Sequence, residues 1–413
     1  MPGRFGLKMD PQLLSRFKMP KHVIIVTGTN GKTTTSNLIV ECLAASGLKV
    51  IGNRRGDNLR EGIATLLCAH SDLHYRIKAD AVVLEVDELS VPRVFNQLNV
   101  TVFVVNNFFR DQLDRAGEME TIVRKIEAVL PEYRGVLILN GNDPNVVRLA
   151  DSAKQAVVQY YDVKACAVSV PVSHEASEGK FCPRCNAELH YDYYQYSHIG
   201  QFRCDTDGFG IHTPAICVDH VDFENGLMIV NGVQLPMFQK AIYAVYNCAA
   251  VLACLQVMQI SFDYAEKVFA EFEMNDGRNE TFMIDGKQCV LNLIKNPTGA
   301  NEVMKGIVQE DQQRSVLIVL NDHDQDGCDV SWIWDAHFDL LIDPKTTAIF
   351  CSGTRAYDMA LRMKYEGYSV GLEVEEDLSK AIDKLCASSG THKVISTYTA
   401  LQQCRAILRR KAS

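Results

Sequence analysis

Short apolar runs rich in β-branched residues recur along the chain, and stretches with helical spacing lie between them. The first run, HVIIVT (22–27), is uninterrupted and ends at Gly28, so it predicts a strand buried on both faces. A glycine-containing turn and a helix through TTTSNLIVECLAASG follow. LKVIGN, AVVLEV (81–86), TVFVVNN (101–107) and GVLILNGND (135–143) repeat the pattern. Strands alternating with helices predict a parallel sheet covered on both faces. From about Ser173 to about Val218 the rhythm breaks into a segment rich in Cys, Tyr, His and Gly, which reads as a small insertion. After it, KAIYAVYNCAAVLACLQVM and DYAEKVFAEFE predict helices. A turn near Asn275–Gly277 leads into a second α/β series with strands at QCVLNLIK, SVLIVLND, AIFCSG and KVISTYT. Its helices are expected near 299–309, 354–366, 377–389 and 399–411. The expected organisation is an N-terminal extension (1–20), an α/β domain (21–279) carrying the Cys-rich insertion (173–218), and a second α/β domain (280–413).

Length and charge narrow this picture. With 413 residues the chain exceeds one ordinary core. A net charge of −9 speaks against a general nucleic-acid binder. No apolar run is long enough for a membrane span, and the basic N-terminus lacks the apolar core of a signal peptide. The expected location is the cytoplasm. Of the 14 cysteines, most are scattered singly in apolar segments and read as core packing.

Chemistry concentrates at TGTNGKTTT (27–35), between a strand and a helix. In that setting, loop N–H groups and the helix N-terminus can surround phosphate oxygens. Gly28, Thr29, Asn30, Gly31, Lys32, Thr33 and Thr34 are the candidate nucleotide-binding residues. Lys32 brings positive charge to the β and γ phosphates, and the Thr33 hydroxyl is placed for Mg2+. Glycines at 28 and 31 allow close backbone approach. The loop is shorter than the common P-loop, since Val26 stands where that pattern has its first Gly. Glu85, Asp87 and Glu88 end the strand AVVLEV, where α/β sites lie; Asp87 and Glu88 also read as mere loop charges. A second candidate site is the cysteine cluster. Cys182 and Cys185 form a C-x-x-C, Cys204 follows, and Asp207, His212 and Cys217 are nearby. Three readings stay open: structural zinc held by three Cys plus Asp207 or His212, a degenerate empty site, or free thiols.

The variant G-T-N-G-K-T resembles the Mur ligase family, which includes the folylpolyglutamate and cyanophycin synthetases. Membership implies use of ATP and Mg2+ to convert a carboxylate into an acyl phosphate that an amine then attacks. By that resemblance Glu85 joins Thr33 at the magnesium. Asn247 contacts adenine, and Arg278 reaches the nucleotide phosphates. NNFFRDQLDRAGE (106–118) is similar to the family's N-x-x-x-D-H-x-D region, with Gln112 in place of the His that meets a second metal. That puts a second Mg2+ in doubt. NLIKNPTGANEVM and LNDHDQDGCDVSWIWDAHFD, together with the C-P-x-C knuckle, look like the MurT-type branch of the family. This branch implies amidation of the D-glutamate α-carboxylate of lipid II, at the inner face of the plasma membrane, with ammonia from a GatD-like glutaminase subunit. It also implies that Asp329, in G-x-D-x-S-W, completes that partner's Cys–His triad; Asp326 and Asp335 are neighbours that could be confused with it. Only about twenty residues precede the first strand, too few for the UDP-sugar domain of most Mur ligases. The runners-up are an amino-acid ligase such as folylpolyglutamate synthase, and a nucleotide-gated binding protein with a zinc ribbon.

Overall fold

The computed structural model describes residues 2–53, 57–110, 119–173, 178–273, 279–368 and 371–412. Two compact units are present: Met1–Phe109 with Glu118–Phe272, and Arg110–Gly117 with Glu273–Ser413.

In the first unit the apolar runs form β1 (His22–Thr27), β2 (Val50–Gly52), β3 (Ala81–Glu85), β4 (Val102–Val105), β5 (Val136–Asn140) and β6 (Val157–Val163). Residues 190–203 form a separate hairpin of β7 (His190–Tyr196) and β8 (Ile199–Arg203). β9 (Ile216–Asp222), β10 (Leu227–Val230) and β11 (Val233–Pro236) then return to the main sheet. Among the described residues the order is β11-β10-β9-β6-β5-β4-β1-β3-β2. All pairs from β2 to β9 are parallel, whereas β10 pairs antiparallel with both neighbours. The expectation of a parallel sheet therefore needs correction at this edge. The cause is local: Asn231 and Gly232 both adopt positive φ (48° and 80°), which a two-residue hairpin turn requires and a non-glycine residue other than Asn rarely accepts.

The helix Lys32–Ala45 packs against helix Ile242–Val257, which in turn lies on β5, β6 and β9. The second of these helices is buried almost all round, and its Ala249, Ala250 and Ala253 are fully inaccessible. Small side chains at these positions let the backbone approach its neighbours. Residues 1–20 carry two short helices, Pro2–Met9 and Leu13–Arg16. The first packs on helix Arg60–His70, where a Cβ on Gly3 would lie 2.3 Å from the Glu61 carbonyl oxygen.

The second unit is built on β12 (Glu280–Ile284), β13 (Lys287–Leu293), β14 (Arg314–Val319), β15 (Thr346–Ser352), β16 (Leu372–Val374) and β17 (Thr391–Ser396). Their order is β12-β13-β17-β14-β15-β16. β12 and β13 form an antiparallel hairpin through Asp285 and Gly286, again both at positive φ, and the other pairs are parallel. Side-chain caps start two of the covering helices: Asn296 accepts from Gly299 N and Asp377 from Lys380 N.

Overpacking the buried helix should be felt strongly. Ala250→Leu is expected to destabilise the first unit by about 1–3 kcal/mol, read as a lower urea midpoint by tryptophan-independent circular dichroism.

Candidate functional site

The loop from Gly28 to Gly31 joins β1 to helix Lys32–Ala45. Gly28 has φ +130° and Gly31 has φ +81°, and both are closely flanked. A Cβ on Gly28 would sit 2.9 Å from the backbone N and O of Asn107, and one on Gly31 would meet Asn247 Oδ1 at 2.3 Å. Gly31 is the N-cap residue and has no side chain to accept the helix's first N–H groups. These donors and the aligned dipole favour an anion at this end.

Asn106–Phe109, the segment after β4, holds the loop. Thr29 N donates to Asn107 O (2.9 Å), and Asn30 N donates to Asn107 Oδ1 (2.8 Å). Asn107 Nδ2 returns a bond to Asn30 O (3.1 Å), and Phe109 N donates to Thr29 Oγ1 (3.0 Å). Deeper in, Asn106 Nδ2 donates to Thr35 Oγ1 (3.0 Å), which donates to Asn247 Oδ1 (3.3 Å). Asn140 Nδ2 supports Asn106 through its carbonyl (2.9 Å). Asn247 thus lies against Gly31 and Thr35, on the loop. Asn106, Asn107 and Asn140 were given no role by sequence reasoning. The dipeptide Asn106–Asn107 at a strand's carboxyl end was the available signal.

Glu85 ends β3 and is the register partner of Val26 on β1, so the parallel pairing brings it beside the loop. Asn53 clamps its backbone, donating Nδ2–H to Glu85 O and accepting from Glu85 N, both at 2.8 Å. Asn58 Nδ2 donates to Glu85 Oε1 (2.9 Å). The second oxygen, Oε2, is buried without a hydrogen-bond partner. A buried carboxylate oxygen left unsatisfied is costly unless a cation meets it. That donor set fits a hard divalent ion with Thr33, which lies half-buried at the start of the helix.

Lys32 is buried, and its Nζ donates to Gly28 O (2.5 Å), Thr29 O (3.2 Å) and Glu88 Oε1 (2.9 Å). Burial works against its charge. The neighbouring carboxylates, Glu88 first and then Glu85 and Asp87, outweigh that effect and raise its pKa. Lys32 therefore stays charged at neutral pH. Asp87 and Glu88 are themselves buried, so reading them as loop charges missed their position. Arg278 and Gln112 lie outside the described residues.

The insertion forms two knuckles. Asn186 N donates to Cys182 O (2.9 Å) and Gly208 N to Cys204 O (3.0 Å). They bring one ligand atom each of Cys182, Cys185, Cys204 and Asp207 within 4.8 Å of one another. Cys185 and Cys204 sulfurs are 3.5 Å apart, and Cys182 Sγ is 3.4 Å from Asp207 Oδ2. Three thiols and a carboxylate in one cluster suit a tetrahedral metal. The alternative ligand His212 is engaged elsewhere. Its Nε2 lies 3.0 Å from both Asp162 carboxylate oxygens, and its ring packs at a tilt of 30° against Tyr160, centroids 4.2 Å apart. Cys217 belongs to β9 and is outside the cluster. Without a metal, burial pushes the Cys182 thiol up to about 12, so binding a cation there must displace its proton.

In the second unit Asp329 is half-buried. Its Oδ1 accepts from Ser331 N (2.8 Å), and that bond lowers its pKa. Asp329 thereby meets the first residue of the short turn Ser331–Trp334, whose N-cap is Val330. Asp326 is buried and bound by both the N–H (2.7 Å) and the hydroxyl of Thr399. The two aspartates are thereby distinguished: Asp326 ties its loop to helix Tyr398–Ala412, and Asp329 sits nearer the surface.

A glycine phosphate loop on a largely parallel sheet, with a second α/β unit after it, is the Mur ligase fold. A pseudomurein peptide ligase type C from Methanothermus fervidus has this fold, with TM-score 0.69 at 20% identity over 96% of this chain and 80% of that one. So does Mycobacterium tuberculosis folylpolyglutamate synthase, with TM-score 0.64 at 15% identity over 99% and 96%. Residues 26–194 match the Mur ligase middle domain, and residues 293–401 match the MurT ligase C-terminal domain. The MurT subunit of lipid II isoglutaminyl synthase (glutamine-hydrolyzing) from Staphylococcus aureus (strain COL) is 33% identical over 403 residues, covering 97% of this chain and 90% of the relative. The subunit of that name from Streptococcus pneumoniae (strain ATCC BAA-255 / R6) is 30% identical over 417 residues, covering 99% and 92%. This chain belongs to that family of MurT ligase subunits. No helix among the described residues is long and apolar enough to cross a membrane.

The left-handed conformation at residue 31 gives a direct test. Gly31→Ala is expected to cost about 1–2 kcal/mol of stability from backbone strain alone, before the clash with Asn247. The lowered melting temperature measured by differential scanning calorimetry checks it.

Proposed function

We propose that this chain is the ATP-using synthetase subunit of a glutamine-dependent amidotransferase acting on lipid II at the cytoplasmic face of the membrane. The observation that carries the reading is the pairing of an intact phosphate loop with a buried, unpartnered carboxylate oxygen on Glu85 beside it. Such a pair suits a polyphosphate and its cation, and the chain's relatives supply the substrate class.

In this reading Gly28–Thr34 offer backbone donors to the phosphates, and Lys32 adds the positive charge. A magnesium ion held by Thr33 and Glu85 would neutralise phosphate charge. Asn247, which lies against Gly31 and Thr35, is assigned to adenine by family resemblance. Arg278 is assigned to the phosphates by family resemblance. An oxygen of the D-glutamate α-carboxylate attacks the γ-phosphorus; the bond to the β–γ bridging oxygen breaks and ADP leaves. Ammonia then attacks the acyl carbon, loses a proton and expels phosphate, giving D-isoglutamine. The ammonia comes from a GatD-like glutaminase partner whose Cys–His pair Asp329 completes. The carboxylate of Asp329 is held ionised by the Ser331 N–H, the state in which it can orient and stabilise an imidazolium. The cysteine knuckles hold a structural Zn2+ through Cys182, Cys185, Cys204 and Asp207.

Two variants separate the roles. Lys32→Ala is expected to lower ATP-dependent amidation at least about a hundredfold, followed by mass spectrometry of the lipid II product. Asp329→Asn should leave nucleotide affinity unchanged by calorimetry but cut glutamine hydrolysis by the two-subunit complex. Normal hydrolysis would remove Asp329 from the triad. For the knuckles, one zinc per chain is expected by atomic emission. Asp207→Ala should release it to a chelator about tenfold faster or more, and a metal-free wild-type protein would refute the zinc assignment.

A further inference from the structure

The ammonium of Lys32 has three hydrogens to donate, and three acceptors already meet it: Gly28 O, Thr29 O and Glu88 Oε1. Two are neutral carbonyls of the loop itself. The third is a carboxylate, and the pair is almost wholly buried, with 8% and 10% of the two side chains exposed. A phosphate oxygen can reach this ammonium only by displacing one of the three. We propose that Glu88 is an internal counter-ion of the phosphate loop, holding Lys32 before nucleotide arrives and competing with the nucleotide's phosphates for it.

The geometry around Glu88 is built to keep it there. Thr27 Oγ1, at the end of β1, donates to Val86 O (2.8 Å), tying the strand that enters the loop to the segment that carries Glu88. Asp87 N donates to Asn58 O (3.0 Å), and Asp87 Oδ1 accepts from Leu89 N (3.1 Å). The two glutamates of this segment thus do different things. Glu85 turns an unpartnered oxygen into the buried site, whereas Glu88 spends its charge on the lysine. A buried ammonium without a counter-charge would be strongly disfavoured, so Glu88 keeps Lys32 charged and inward in the nucleotide-free protein. Once the phosphates take Lys32, the Glu88 carboxylate remains close to them as a like charge. Both effects weaken nucleotide binding, and Glu88 is a positioning residue that sets the affinity of the loop.

This inference rests on the nucleotide-site reading given above, and the experiment separates the two. A non-hydrolysable ATP analogue is titrated calorimetrically, with magnesium, into the full-length wild-type chain and into Glu88→Gln. The substitution should tighten binding on the order of tenfold, while lowering the melting temperature of the nucleotide-free protein. Lys32→Met combined with Glu88→Gln should recover part of that melting temperature, because both members of the buried pair are then neutral. A residue with only a structural role would weaken the analogue when replaced. Equal or weaker binding by Glu88→Gln therefore overturns the proposal. If that variant fails to fold, Glu88→Asp keeps the charge but withdraws it by one methylene, and an absence of tighter binding there overturns the proposal equally. Failure of the wild-type chain to bind the analogue would instead overturn the nucleotide-site reading itself.

Discussion

The backbone of residues 28–31 does not hold its shape by itself. Two glycines at positive φ give it freedom, and the side chain and carbonyl of Asn107 take that freedom away through bonds to Thr29 and Asn30. The geometry of the glycine loop depends on this strap. It aims the loop's N–H groups, it sets where the helix beginning at Lys32 starts, and it presents Lys32 to the acidic end of β3. Asn107 can do this because β4 runs parallel to β1 and leaves the sheet at the same edge. Sheet topology and loop geometry are one constraint seen at two scales.

Charge is arranged around the strap with little waste. Among the described residues Lys32 is buried beside Glu85, Asp87 and Glu88. The buried, unpartnered oxygen of Glu85 lies in this acidic setting, which suits a divalent cation. The asparagines at 53 and 58 then have a clear purpose: they fix the backbone and one oxygen of Glu85, so that only the other oxygen remains to be satisfied.

The alternation of buried strands and helices was legible in the sequence because both units bury their parallel strands on two faces, which leaves continuous apolar runs such as HVIIVT and SVLIVL. The phosphate loop and Glu85 were legible as motifs at strand ends. The antiparallel additions were not read, although Asn231–Gly232 and Asp285–Gly286 are the dipeptides that two-residue hairpins favour. β10 and β11 have four residues each and are only partly buried, so their apolar signal is weak. Glu88 was misjudged for a different reason: nothing in a local window reveals that a lysine fifty-six positions earlier will be its partner. The choice of Asp207 over His212 likewise needed the fold, since β6 supplies the Asp162 that occupies His212.

The cysteine knuckles interrupt the chain between β6 and β9, yet those two strands are direct parallel neighbours, Tyr161 opposite Ile216. The excursion therefore leaves the sheet at Val163 and re-enters at Ile216, one strand over and two residues back, about 8 Å away. Its hairpin is also built into the unit: Tyr196 and Ile199 join the main core, and Gly200 N donates to Asn142 O (2.9 Å). Changes at the knuckle tips therefore leave the strand order intact, whereas changes at the hairpin base reach the core of the sheet.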